Sequence, residues 1–245
     1  MMKKLLIGLF ALLPTFAMAA GPSVPLLESN HDLTDNASLQ RGAKLFMNYC
    51  LGCHQMQYQR YERTFRDIGI PVDIGKETLI FDGSKVGGHI LNAMDTDDAA
   101  KWFGAAPPDL TLVARVRGAD WIYTYLKSFY VDESRPFGVN NSVFPLVGMP
   151  HVLQELQGVP TAEFEEVEEN GVAVQKVKSI STDGSGELSS DEYDQAVRDL
   201  TNFMAYVGEP SRLQSEAMGI KVLGFLVIFF ILAFLLKKEY WRDVH

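Results

Sequence analysis

The residues best suited to chemistry in this chain are Cys50-Leu51-Gly52-Cys53-His54. This is a C-x-x-C-H motif, the pattern of covalent c-type haem attachment. Two thiols three positions apart lie on one turn, so each can form a thioether with a vinyl group of the porphyrin. The histidine that follows is held under the porphyrin plane, where it can supply one axial nitrogen to the iron. The motif predicts one covalently bound haem c, with His54 as an axial ligand.

Other uses of this cysteine pair fit less well. The chain has two cysteines, both in the motif, so a four-thiolate zinc site is excluded. A redox dithiol would call for a surrounding βαβ pattern, which the sequence lacks. No catalytic triad, paired carboxylate or phosphate loop stands out elsewhere. We therefore expect no independent catalytic site, and the redox chemistry would belong to the haem.

The two ends of the chain predict export and a membrane anchor. Lys3 and Lys4, an apolar run from Leu5 to Phe16 and Ala17-Met18-Ala19 have the pattern of a signal peptide, cleaved after residue 19. Residues 218–236 are apolar except for Lys221 and would form about 28 Å of helix, close to the thickness of a bilayer core. The basic residues that follow favour a cytoplasmic tail. The predicted order is a signal peptide (1–19), an exported domain (20–210), a short linker (211–217), a transmembrane helix (218–236) and a tail (237–245).

The charge of the chain restricts its partners. With 22 Lys and Arg against 31 Asp and Glu, the net charge is −9 at pH 7, which excludes nucleic acid as a partner. An acidic exported domain would attract a basic protein, although solubility alone also explains such a surface.

Helical periodicity places the motif at the end of a helix. The apolar spacing predicts a helix from Leu39 to Cys50 with Ser38 as its N-cap, continued through 55–65. Residues 68–102 are Gly-rich and are predicted to be irregular. Asp120 is predicted to cap a helix that runs to about Tyr130, followed by a loop over 131–148.

A hairpin and a capped helix are predicted before the anchor. The runs 164–169 and 172–180 flank Asn170-Gly171, a strong hairpin signal. The first strand is rich in glutamate, which would serve as a solvated edge or as a docking patch for a basic partner. Residues 181–192 match an EF-hand loop only in part, because Ser181 stands at the first ligand position. Calcium is therefore not expected there, and Ser189 with Glu192 predicts a capping box for an amphipathic helix over 193–207.

The second axial ligand has to come from elsewhere in the chain. Met47 and Met56 are too near the motif to reach the opposite face of the haem, and Met204 lies on a helical stripe where Met is more often core. Met218 lies at the membrane, so Met94 and Met149 remain, and the Gly-Met-Pro setting of Met149 in a distant loop favours Met149. His89 and His151 are the alternatives.

Taken together, these features resemble cytochrome c1, the haem subunit of quinol–cytochrome c reductase (bc1) complexes. The resemblance covers most of the mature length and rests on Leu39-Gln40-Arg41-Gly42, Cys50–His54 with Met56 and Tyr61, Pro107-Pro108-Asp109-Leu110 with Arg115 and Arg117, Phe144-Pro145, Gly148-Met149-Pro150 and the anchor. It implies a mainly α fold: a cytochrome c-like haem domain with long loop insertions, a small β-hairpin and one C-terminal transmembrane helix.

The resemblance also implies roles for particular residues. His54 and Met149 would be the axial ligands, Arg115 would face a haem propionate, and Tyr61 and Pro108 would line the pocket. The implied reaction takes one electron from the Rieske iron–sulfur protein and passes it to a soluble or tethered cytochrome c. The anchor would contact cytochrome b and the lipid bilayer, in a dimeric complex. The single short leader indicates a bacterial inner membrane, with the haem domain in the periplasm.

Two other roles compete with this one. A free-standing, membrane-tethered monohaem cytochrome c that donates to an oxidase or reductase would share the haem and the anchor. Such a carrier usually has a compact domain on a flexible linker, whereas structured-looking sequence here runs almost to the membrane. A haem-based sensor would need an open sixth position, against which Met149 argues.

Overall fold

The computed structural model describes residues 24–169 and 172–242. The predicted signal peptide and the Asn170-Gly171 turn lie outside these residues. The helices are α1 (Asn36–Leu45), α2 (Tyr61–Asp67), α3 (Val72–Leu79), α4 (Thr96–Phe103), α5 (Val113–Arg117), α6 (Ala119–Lys127), α7 (Gln154–Gln157), α8 (Ser190–Gly208) and α9 (Arg212–Tyr240), and a π-helical turn, Phe46–Cys50, extends α1. The strands form antiparallel pairs, β1 (Met56–Arg60) with β2 (His89–Ile90), β3 (Phe129–Val131) with β4 (Val139–Asn141), and β5 (Pro160–Glu169) with β6 (Val172–Thr182). The mainly α prediction is confirmed.

The core is organised by a close crossing of α1 and α8. A Cβ atom at Gly42 would lie 2.0 Å from the carbonyl oxygen of Asp199, so only glycine permits this approach. Next to it, the rings of Phe46 and Phe203 pack with their centroids 5.9 Å apart, and both are fully buried. Arg41 donates to both carboxylate oxygens of buried Asp199, at 2.5 and 2.9 Å. The Arg41 guanidinium thus compensates the buried charge of Asp199 while α1 and α8 stay in close contact.

The segment before α1 is an extended arm fastened to α6 and α8. The backbone N–H and the hydroxyl of Ser29 both donate to Asp120, at 2.8 Å each, and Arg198 donates to the Ser29 carbonyl at 2.7 Å. The prediction that Asp120 caps α6 is wrong, because Gly118 precedes the helix and the carboxylate of Asp120 is engaged by the arm. Hydrogen bonds from the backbone and side chain of Ser29 lower the pKa of Asp120.

The cap of α1 also differs from the prediction. Asp35, not Ser38, occupies the N-cap position, and its carboxylate accepts from the Ser38 N–H at 3.0 Å. Both residue types are good caps, and the helix begins one turn earlier than its apolar stripe.

Long-range pairing overrode local periodicity in three segments. The helical prediction for 55–65 is wrong in its first half, because β1 pairs there with β2 and α2 begins only at Tyr61. The region 68–102, predicted to be irregular, contains α3, β2 and most of α4. The predicted loop 131–148 contains β4, which pairs with β3 between Phe129↔Asn141 and Val131↔Val139.

The hairpin and the capped helix are confirmed. Strands β5 and β6 pair from Pro160↔Thr182 onward and are longer than predicted at both outer ends. Ser189 and Glu192 form the capping box of α8. Asp183 accepts hydrogen bonds from Val159 and Ser185 and thereby closes the turn after β6.

Among the described residues, helix α9 is long and apolar enough to cross a membrane over Gln214–Tyr240, where the sequence predicts a transmembrane helix. It begins at Arg212, so most of the predicted linker 211–217 is helical and continuous with the anchor. Helix α8 ends at Gly208, which leaves residues 209–211 between the two helices. The domain that ends with α8 is thus joined to α9 by a very short connection.

Because the α1–α8 crossing leaves no room for a side chain at Gly42, Gly42→Ala is expected to lower the free energy of unfolding by about 1–3 kcal/mol. Thermal unfolding of the full chain in detergent would measure the loss. Gly87→Ala is the matched control, since a Cβ atom at Gly87 meets no atom within 4 Å. Equal stability of the two variants would show that the crossing tolerates a wider separation.

Candidate haem site

The C-x-x-C-H motif lies where α1 ends against the core. The Leu51 N–H donates to the Phe46 carbonyl at 3.0 Å, which widens the last turn into a π-helix. The N–H groups of Cys53 and His54 then both reach the Cys50 carbonyl, at 3.1 and 2.8 Å. π-Helical turns are frequent at functional sites, and this one turns the two cysteines and the histidine toward one cavity.

His54 is buried and held in one tautomer. Its Nδ1 lies 2.8 Å from the carbonyl oxygen of Pro108, which can only accept, so Nδ1 carries the proton. Burial lowers the pKa of His54, although the hydrogen bond to Pro108 and nearby Asp109 oppose this. A neutral ring with Nδ1 protonated leaves the Nε2 lone pair available to a metal.

The Pro107-Pro108-Asp109-Leu110 segment is fastened to the residues just after the motif. The Asp109 carboxylate accepts from the backbone N–H groups of Gln57 at 2.7 Å and Thr111 at 2.9 Å. The Leu110 N–H donates to the Gln55 carbonyl at 2.9 Å. These bonds fix the Pro108 carbonyl where it accepts the hydrogen bond from His54 Nδ1. The Pro107-Pro108-Asp109-Leu110 segment therefore orients the His54 ring.

Cys50, Cys53 and His54 form part of the wall of a cavity of about 700 Å³. Most of its other lining residues are apolar or aromatic, among them Leu110, Val113, Val116, Trp121, Ile122, Tyr125, Leu126, Val147, Val152 and Leu200. Met149 also lies on the wall. The structure thus brings together two segments almost a hundred residues apart in the sequence.

The loop that carries Met149 is shaped by buried amide side chains. Asn140 Oδ1 accepts from the Leu146 N–H at 2.8 Å, and Asn141 Oδ1 accepts from the N–H groups of Val143 and Phe144 at 2.9 and 3.0 Å. These side chains satisfy backbone donors that no strand partner reaches. The sulfur of Met149 accepts a hydrogen bond from the Tyr125 hydroxyl at 3.3 Å.

The alternative axial ligands lie elsewhere. Met94 is off the cavity wall, and His89 is exposed on β2. His151 is stacked on Phe129 with the ring centroids 4.8 Å apart, and its Nε2 is bound to Gln157 at 2.6 Å. Burial lowers the pKa of His151 to about 4, so it is a neutral structural residue at physiological pH. Met204 does reach the wall, from the buried face of α8.

Two of the remaining site residues lie away from the cavity. Arg115 points to Glu209, with which it forms an ion pair at 3.1 Å, while Arg117 lies on the wall with its guanidinium over the Trp121 ring. Tyr61 is fully buried against Phe65 and does not line the cavity. Pro108 does line the cavity and also supplies the carbonyl that binds His54.

Sequence reasoning did not identify the aromatic residues of α6 as part of the site. Trp121 and Tyr125 both lie on the wall, four residues apart, and Arg117 lies one turn before them. This i, i+4 spacing on a helix is a signal for a shared face. It could have indicated that Trp121 and Tyr125 share a face, whereas Arg117 belongs to α5 and helical spacing does not relate it to them.

These residues fit a c-type haem. The cavity is large and mainly apolar, and its wall offers two thiols, a free imidazole nitrogen and a thioether sulfur. Burial raises the pKa of the Cys50 thiol to about 12, which is the opposite of the low pKa typical of a redox dithiol.

Comparisons with known proteins agree with this site. A family model described as the cytochrome C1 family matches residues 84–244, which include Met149 and the anchor. A cytochrome c1 of Allochromatium vinosum is 55% identical over the full length of both chains. The gamma subunit of ammonia monooxygenase of Nitrosomonas europaea is 44% identical over 100% of this chain and 99% of its own. The mitochondrial cytochrome c1 haem protein of Neurospora crassa is 25% identical over 84% of this chain and 62% of its own.

The family match covers well over half of the chain, and the full-length relative extends it through the C-x-x-C-H motif. The cavity and the apolar helix α9 fit the haem and the membrane anchor that this family implies. The chain therefore belongs to the cytochrome c1 family and is a membrane-anchored electron-transfer protein.

Proposed function

We propose that this chain is the cytochrome c1 subunit of a bacterial bc1 complex. It would accept one electron from the Rieske iron–sulfur protein and pass it to a soluble or tethered cytochrome c during quinol oxidation. The observation that carries the proposal is a single cavity with the C-x-x-C-H turn and Met149 on its wall. The family and the Allochromatium vinosum cytochrome c1 support the bc1 context.

In this proposal, Cys50 and Cys53 would hold the haem through thioethers, and His54 Nε2 and the Met149 sulfur would bind its iron. Bound haem supplies one-electron exchange between its ferric and ferrous states. The chain fixes both ligands in advance. The Pro108 carbonyl orients the His54 ring, and the Asn141 side chain holds the loop that carries Met149. The apolar walls keep water out, which together with a methionine ligand favours the reduced state and a high potential.

Arg117 is the better candidate for a haem propionate. It reaches the cavity wall, whereas Arg115, which the family resemblance implied, is committed to Glu209. Positions two residues apart differ by about 200° around a helix, so only one of the two arginines can face the cavity. A guanidinium is well suited to hold a carboxylate there.

The anchor supports membership of a fixed complex. Only residues 209–211 separate α8 from α9, and Glu209 is itself tied to Arg115. A domain held this closely cannot swing far, which favours docking against cytochrome b over a freely tethered carrier. The basic residues Lys237 and Lys238 at the end of α9 support a cytoplasmic tail and a periplasmic haem domain.

Met149→Leu is expected to leave the haem attached but to lower its midpoint potential by on the order of 0.1 V or more, because a thioether ligand stabilises ferrous iron. Redox titration of the c-type absorption band would measure this. Met94→Leu is the matched control and should leave the potential unchanged. A fall in the Met94 variant alone would move the axial ligand to Met94.

Arg117→Leu is expected to lower the midpoint potential, because an uncompensated propionate charge favours ferric iron. Arg115→Leu removes an exposed ion pair worth about 0–1 kcal/mol and should leave the potential unchanged. The same redox titration on both variants compares them directly. The reverse result would return the propionate role to Arg115.

Purification of the tagged chain in mild detergent from its native membrane tests the complex. We expect b-type haem bands and a Rieske signal to accompany the c-type band, and haem to stay on this chain after denaturation because it is covalently bound. A c-type band that purifies alone would favour the tethered carrier. Co-purification with a monooxygenase, the function named for the Nitrosomonas europaea relative, would contradict the bc1 role.

A further inference from the structure

A continuous column of stacked side chains is centred on Trp121 and Tyr125 of α6. The Arg117 guanidinium lies 5.1 Å from the centre of the Trp121 ring, Trp121 stacks on Tyr125 at 5.0 Å, and Tyr125 meets Phe129 edge-on at 5.2 Å. Phe129 in turn stacks on His151, two residues beyond Met149. The column therefore runs from the proposed propionate cation to the methionine loop.

Tyr125 is the member of this column that touches the proposed ligand. Its hydroxyl donates to the Met149 sulfur at 3.3 Å, and a thioether sulfur can only accept. The sulfur has two lone pairs. The pair that accepts from Tyr125 is not available to a metal, so the hydroxyl decides which pair is presented to the cavity.

The position of Tyr125 relative to the loop is fixed independently of this bond. The Tyr125 carbonyl accepts from Asn141 Nδ2 at 2.8 Å, and the other end of the same amide holds the N–H groups of Val143 and Phe144. Asn141 thus ties the Tyr125 backbone to the start of the loop. Stacking against Trp121 and Phe129 limits rotation of the Tyr125 ring.

We infer that Tyr125 is a positioning residue for the electron-transfer centre, which it tunes through its hydrogen bond to Met149. The inference rests on the proposed Met149 ligation. The bond withdraws electron density from the sulfur, which, with haem bound, would weaken its donation to ferric iron more than to ferrous iron. It also holds the thioether in one orientation. Both effects make the oxidised state less favourable and raise the potential.

Tyr125→Phe tests this inference in the full chain, purified with its haem. Phenylalanine keeps the ring and its stacking and removes only the hydroxyl. We expect the oxidation equilibrium against a fixed reference couple to shift toward the ferric form by up to roughly tenfold, which is a midpoint lower by about 59 mV for one electron. The weak far-red charge-transfer band of methionine-ligated ferric haem should shift as well, because it reports the iron–sulfur bond.

Tyr123→Phe is the matched control. Tyr123 lies on the same helix and is buried, but its hydroxyl is bound to Asp194 and Lys127, away from Met149. This variant should lose stability without a change in potential or in the far-red band. Thermal unfolding and haem content, measured on both variants, separate a structural loss from a change at the iron.

Equal potentials and unchanged far-red bands in wild type and Tyr125→Phe would overturn the inference. So would an equal fall in both tyrosine variants, since that would indicate general loosening of the domain. Met149→Leu separates these failures from failure of the proposed ligation. If Met149→Leu lowers the potential and Tyr125→Phe does not, Met149 is the ligand and Tyr125 does not tune it. If neither variant lowers the potential, the proposed ligation by Met149 is wrong.

Discussion

The close crossing of α1 and α8 at Gly42 is the constraint on which the rest of the domain depends. It places the end of α1, and with it the C-x-x-C-H turn, against the core. Because the two backbones almost touch, Phe46 and Phe203 pack directly beneath the motif. Asp199 could not lie at such a crossing unpaired, and Arg41 supplies the compensating charge from the exposed side.

Two walls of the candidate haem site are built on this crossing, and both are held mainly by hydrogen bonds between side chains and backbone groups. On one side, the Pro108 carbonyl orients His54 while Asp109 fastens its segment to β1. On the other, amide side chains of β4 shape the Met149 loop. Neither wall relies on a disulfide, since both cysteines lie in the haem motif. Rigid ligand placement in this chain therefore comes from satisfied polar groups behind an apolar surface.

The same frame connects the site to the membrane. Helix α8 packs under the cavity with Leu200 and Met204, ends at Gly208 and is followed almost at once by α9. The Arg115–Glu209 ion pair joins the short α5 helix to this connection. One helix thus contributes to the core crossing, to the cavity wall and to the attachment of α9.

Local chemistry in the sequence was enough to predict the hairpin, the capping box and the long apolar helix, and it singled out the C-x-x-C-H motif and Met149, which lie on one cavity wall. Each of these depends on neighbouring residues: a spacing of thiols, a glycine-rich turn or a long apolar run. The tertiary structure alone decided that β1 replaces a helix after the motif, because its partner strand lies some thirty residues further on. It also decided that Arg117 faces the cavity and that Tyr125 reaches the Met149 sulfur. Those outcomes depend on how separate segments pack against one another, and one-dimensional spacing does not contain that information.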